Sequence, residues 1–297
     1  MLYGNLNGCM LFSCKMVITD MVIARVSSGI PGLDKLIEGG FPKCSNTLLL
    51  GSPGTGKTIF ALQYLFEGAK KKENGVYISL ESTSAELKSQ AMEFGMDFDK
   101  LGDGKVLFVE VPLDRVSWNL FDQIRDAIKD VNASRLVFDS LQAFNSNIDM
   151  FSIPVTFFGG LALSDPNIDE EILKRKQDVK YKYERTPVSE GTDDNQLSLS
   201  TKNWSSQVSH QRLTYLLLRQ MKNLDTTNLI ATYSNGDLKS LDEVSEYAVD
   251  GLIKFGINDM LGTRTLRVEK MRQTKHPLNK LNVQIGASGI ELMQKTD

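Results

Sequence analysis

Gly51-Ser52-Pro53-Gly54-Thr55-Gly56-Lys57-Thr58 matches the pattern G-x-x-x-x-G-K-[ST] at every fixed position. It follows an apolar run, Asn46-Thr47-Leu48-Leu49-Leu50, and opens an amphipathic stretch from Lys57 to about Lys71 with Phe60, Tyr64 and Leu65 on one stripe. The order is therefore strand, glycine turn, helix. Glycines let the turn curl until backbone N–H groups point inward at phosphate oxygens. The first turn of the helix adds the positive end of its dipole. Gly51, Ser52, Pro53, Gly54, Thr55 and Gly56 then form a phosphate cradle. Lys57 is expected to bring a cation to the β- and γ-phosphates, and Thr58 to offer its hydroxyl to Mg2+.

Outward from this segment, short apolar runs alternate with amphipathic stretches, as in a mostly parallel sheet flanked by helices. Gly75 to Leu80, Val106 to Glu110 and Arg135 to Asp139 read as further strands. Thr83 and Glu86 have capping-box spacing for a helix to about Phe94, and another helix is expected from about Trp118 to Asp130. Two strand ends carry acids. Asp139 stands where an acid can hold the water shell of a phosphate-bound metal. Glu81 follows Leu80 directly, at the carboxyl ends of the strands where such sheets bind ligands. A carboxylate there can act as general base toward an attacking water. A helix-start charge is the competing role for Glu81.

The rhythm breaks from about Asn145 to Ser206, which reads as an insertion with some structure and a mobile end. Within it Lys174 to Arg185 holds six basic residues against two acids, with Tyr181 and Tyr183 interleaved. That combination can grip single-stranded nucleic acid. Residues 145–206 as a whole carry ten acids against seven bases, and a solvated charged helix is the favoured reading. A helix over Val208 to Leu224 and a strand over Leu229 to Tyr233 resume the pattern. The C-terminal part is strand-rich: Gly251 to Phe255, Thr263 to Lys270 and Val283 to Leu292. Lys270 and Arg272, two apart at the end of one strand, share a face. On their own they read as a solvated charged edge.

The chain has 297 residues, 41% apolar and 24% charged, with a net charge of −3. Those values fit a globular protein and give no overall attraction to nucleic acid or acidic lipid. Cys9, Cys14 and Cys44 make neither a disulfide framework nor a metal cluster with His210 and His276, which points to a reducing cytoplasm. No run of about 18 apolar residues is present to span a bilayer. Residues 1–22 read as a poorly ordered leader, and 23–297 as one ATPase-type domain carrying the insertion.

Five ordered segments resemble the KaiC family of the RecA superfamily: Ser27 to Pro42 before the glycine loop, Phe60 to Leu65 after it, Ser79 to Thr83 at the acid, Glu243 to Gly251, and Lys270-Met271-Arg272-Gln273-Thr274-Lys275-His276. The resemblance implies a RecA-like core, ATP with Mg2+ bound between subunits, and a homo-oligomer, usually a hexamer. It also makes Lys270 and Arg272 residues that act on a neighbouring subunit's γ-phosphate. Three departures stand out, the most important being one such domain here where the family's clock protein has two. Glu81-Ser82 occupies a place where two glutamates are common, and Cys44 one where glycine is usual. The expectation is an oligomeric ATPase that serves as a regulatory switch for a protein partner. The alternatives are a DNA-binding recombinase paralogue and a nucleotide-gated scaffold with little turnover.

Overall fold

The computed structural model describes residues 23–112, 120–147, 213–233, 239–258, 260 and 262–293. The leader 1–22, Phe157 to Gly160, the basic-aromatic run Lys174 to Arg185 and the polar stretch Ser189 to Ser206 lie outside the described residues.

Among the described residues nine strands form one sheet: β3 (Asn46–Leu50), β4 (Gly75–Ser79), β5 (Val106–Glu110), β6 (Arg135–Asp139), β7 (Thr227–Thr232), β8 (Gly251–Asn258), β9 (Thr263–Met271), β10 (Leu281–Gly286) and β11 (Gly289–Leu292). Their spatial order is β11-β10-β9-β8-β3-β7-β6-β4-β5, while β1 (Arg25–Val26) and β2 (Phe41–Pro42) pair separately. The six strands from β8 to β5 run parallel, and β9, β10 and β11 are added antiparallel. The fold is α/β with a RecA-like core and a strand-rich C-terminal part.

The strands read as near-continuous apolar runs because both faces are covered. Residues alternate between the faces. Leu49, Tyr77, Val137, Leu229 and Ile253 lie on one face, in a single cluster with Phe60, Tyr64 and Leu65 of α2 (Lys57–Lys70) and Leu87 of α3 (Ser84–Met92). Leu48, Val76, Ile78, Leu136, Phe138, Ile230 and Leu252 lie on the other. They pack with Ile124 of α4 (Leu120–Val131), Leu141 of α5 (Leu141–Asn147) and Leu213, Leu217, Leu218 and Met221 of α6 (213–222).

The expected capping box is present: Glu86 N–H donates to Thr83 Oγ1 at 3.3 Å, and Thr83 N–H donates to Glu86 Oε2 at 2.8 Å. Thr83→Ala is expected to cost about 1 kcal/mol of stability, read as a lower urea midpoint at unchanged slope.

Several boundaries differ from the sequence reading, β8 running on to Asn258 rather than Phe255 among them. β7 begins at Thr227 rather than Leu229, because Thr227 and Asn228 pair with β6 and β3 despite being polar. The single strand expected from Val283 to Leu292 is a hairpin, with Gly286 opposite Gly289 and Ala287-Ser288 as its two-residue loop. Asn145 to Asn147, expected to begin the insertion, complete α5. A helix over Lys239–Ala248, α7, was not expected. Cys44 has φ +56°, the left-handed region that favours glycine, so the departure at this position sits on a backbone demand.

Candidate active site

β3 ends at Leu50 and the chain turns through Gly51 to Gly56 into α2. Gly54 (φ +76°) and Gly56 (φ +102°) hold the left-handed backbone that curls this loop. A side chain at Gly56 would also press on Ile290 and Ile285 of the C-terminal hairpin, 3.0 and 3.3 Å from its first carbon. Thr55 Oγ1 ties the loop to Ser52 O at 2.7 Å. The Lys57 ammonium folds over the loop, donating to Gly51 O at 2.6 Å and Ser52 O at 3.0 Å. Burial pulls its pKa below the usual range, opposed by the negative charges of Asp139 and Glu81.

Ser79 and Asp139 are partners across β4 and β6, so both strands end at the same level. Asp139 shares a sheet face with Val137, the face covered by α2, and Thr58 in the first turn of α2 donates to Asp139 Oδ2 at 3.3 Å. Tyr77 OH donates to the same oxygen at 2.6 Å. Burial raises the Asp139 pKa, and the Tyr77 hydrogen bond holds it down. Burial, and then the Asp139 charge, push the Tyr77 phenol well above its usual value, so it remains a donor. Glu81 is exposed at the cavity rim, where Ser140 Oγ donates to its Oε1 at 2.7 Å.

These groups line one cavity of about 650 Å³, formed among others by Gly54, Gly56, Lys57, Thr58, Glu81 and Asp139. Lining residues not singled out as site residues from sequence include Gln90, Ser140, Tyr233, Arg264 and Ile285. Arg264 Nε donates to Gly54 O at 3.2 Å across 210 residues of chain, and only the β8–β9 pairing brings it there. Among the described residues no group of three His, Cys, Asp or Glu side chains could cage a metal. Mg2+ needs no such cage, since it binds through one or two protein groups together with substrate phosphates. Thr58 and Asp139 beside the loop fit that requirement.

Lys270 and Arg272 lie elsewhere. Lys270 pairs with Leu252, which is level with Leu48, whereas the phosphate loop follows Leu50 at the opposite end of the strands. The Lys270 ammonium donates to Val249 O at 2.6 Å, Glu246 O at 3.0 Å and Tyr247 O at 3.2 Å, at the C-terminal end of α7. Its pKa is lowered by burial and by Arg272. Arg272, with its side chain 54% exposed, faces Asp250 at 3.6 Å. Neither residue is brought to the loop of its own chain.

A phosphate loop at the carboxyl end of a central parallel strand, flanked by two strand-end acids, defines a P-loop protein of the RecA-like class. The chain belongs to the KaiC ATPase family, whose sequence model matches residues 26–152 and 198–297. A UPF0273 protein of Aeropyrum pernix is 27% identical over 276 residues, covering 91% of this chain and 93% of that one. The circadian clock protein KaiC3 of Synechocystis is 38% identical over 137 residues, covering 42% of this chain and 27% of that protein. The crystal structure of a KaiC-like protein from Pyrococcus horikoshii superposes with a TM-score of 0.62 at 26% identity, covering 92% of this chain and all of that one. Among the described residues no helix is long and apolar enough to cross a membrane.

Proposed function

We propose that the protein binds ATP with Mg2+ and hydrolyses it to ADP and phosphate as a homo-oligomer, with the reaction completed between subunits. The observation that carries this reading is the convergence of Lys57, Thr58, Asp139 and Glu81 on one cavity at the carboxyl ends of β3, β4 and β6. The loop N–H groups and Lys57 bind the phosphates and oppose their charge. Thr58 and Asp139 would hold Mg2+, which when bound neutralises charge on the β- and γ-phosphates. Glu81 accepts the proton of the attacking water, and Ser140 fixes the carboxylate for that task.

Lys270 and Arg272 cannot serve their own loop and are assigned to a neighbour's γ-phosphate, in the manner of an arginine finger. Exposure of Glu81 in a single chain fits a site that a second copy closes. The assembly is taken to be a hexamer, acting in the cytoplasm as a nucleotide-dependent switch for a protein partner.

Specific ATPase activity measured against protein concentration tests this reading. It should climb as subunits associate and then level off. Arg272→Ala should lower the plateau by about 10³-fold or more, the scale of an arginine finger. Lys270→Ala should lower it too, and it also strips the donor from the α7 carbonyls. Activity independent of concentration, or an unaltered plateau in Arg272→Ala, would overturn catalysis between subunits.

A further inference from the structure

Tyr77 is an unusual choice for its surroundings. Its ring is fully buried, stacked on Phe108 with centroids 5.7 Å apart, in a cluster whose only other phenol, that of Tyr64, donates to the main-chain oxygen of Thr227. A phenylalanine would fill that space and leave no polar atom to satisfy. Instead the phenol donates to Asp139 Oδ2 at 2.6 Å, with the Thr58 hydroxyl a second neighbour.

The sheet register makes this contact. Tyr77 and Ser79 are two apart on β4 and share a face, and Ser79 is the cross-strand partner of Asp139. The phenol therefore runs up the α2-covered face and meets the carboxylate from below, while Thr58 approaches from the first turn of α2.

We infer that Tyr77 is a positioning residue for Asp139, aiming that carboxylate at the metal of the bound nucleotide. The inference rests on the nucleotide and Mg2+ assignment proposed above. Both described hydroxyl contacts fall on Oδ2, and the residue lines the cavity with Lys57 and Thr58. The two contacts are not equivalent. The Thr58 bond is long at 3.3 Å, and Thr58 is itself assigned to the metal. Once its hydroxyl turns to Mg2+, the phenol is the donor left to fix the carboxylate. Partners of this kind orient the groups that touch a metal and tune how tightly the metal is held.

The experiment titrates Mg2+ into the full-length chain with a fluorescent ATP analogue and reads the Mg2+ concentration at half-maximal binding. The series is wild type, Tyr77→Phe, Asp139→Asn and the double variant. Tyr77→Phe keeps the ring against Phe108 and should keep analogue affinity in chelator. Its Mg2+ midpoint should rise about 10–100-fold. In the Asp139→Asn background the same replacement should change the midpoint by less than about twofold, because the effect travels through the carboxylate. A Tyr77→Phe midpoint equal to wild type overturns the inference, and so does an equal rise in both backgrounds, which would make Tyr77 a packing residue. Wild-type binding that ignores Mg2+ sinks the metal assignment itself and the inference with it. That outcome is distinct, because it shows before any variant is compared.

Discussion

Glu81→Gln lowers kcat for ATP hydrolysis by about 10²–10⁴-fold, the range over which a positioned general base contributes, while nucleotide affinity stays within a few-fold of wild type. The expectation follows from what the replacement leaves in place. Gln has the size of Glu, and its amide oxygen still accepts from Ser140 Oγ, so the 2.7 Å contact survives. No charge is removed from the phosphate loop, whose ammonium is supplied by Lys57. What disappears is a carboxylate able to take a proton. Ser82, next in the chain, has no carboxylate to substitute for it. Phosphate release at saturating ATP, paired with equilibrium binding of the same analogue, separates the two quantities. A kcat within a few-fold of wild type would remove Glu81 from the chemistry. No hydrolysis in wild type at any concentration, with ATP still bound, would leave a nucleotide-gated scaffold.

Much of this site is legible in the sequence because its parts are local. The glycine loop fits a spaced pattern since each glycine answers a backbone demand, and Gly54 and Gly56 indeed have positive φ. Asp139 and Glu81 stand out as acids directly after apolar strands. Thr83 and Glu86 announce a helix start because the capping box is a contact between residues three apart. What the sequence hides is contact across strands. The Tyr77–Asp139 bond depends on the register of β4 against β6, and Arg264 reaches Gly54 only after β9 folds back on β8.

Lys270 is instructive in another way. Its two-apart spacing with Arg272 places both on one face, yet nothing in the spacing reveals that the ammonium binds three carbonyls in and just after the last turn of α7. A lysine beside a helix C-terminus also opposes the negative end of the dipole. The hairpin of β10 and β11 did carry a signal that was passed over. Gly286-Ala287-Ser288-Gly289 places two residues between glycines, a hairpin turn rather than strand interior.

Arg135→Met is expected to destabilise the fold by about 1–3 kcal/mol, the largest stability effect of any single replacement considered. Arg135 opens β6, and its side chain is completely buried. The guanidinium donates to Tyr64 O at 2.7 Å, to Ser27 O at 2.8 Å and to Glu73 Oε2 at 2.5 and 2.8 Å, and it lies 4.5 Å from the Tyr64 ring centre. It thereby joins β6, α2 and the segment leading into the phosphate loop. Methionine approximates the volume but supplies no donor, so Tyr64 O and Ser27 O both lose this partner.

Glu73→Gln serves as the control. Gln keeps an oxygen that accepts from the buried guanidinium and the Glu73 side chain is 40% exposed, so a smaller loss than that of Arg135→Met is expected. Arg135 also sits at the opposite end of β6 from Asp139, four residues away along the strand. Its loss should therefore lower the urea midpoint while kcat, measured well below the transition, stays within a few-fold of wild type. Equal losses of stability in Arg135→Met and Glu73→Gln would show that the ion pair, rather than the buried donors, holds this corner. A drop in kcat matching the Glu81→Gln effect would show that the two ends of the strand are not independent.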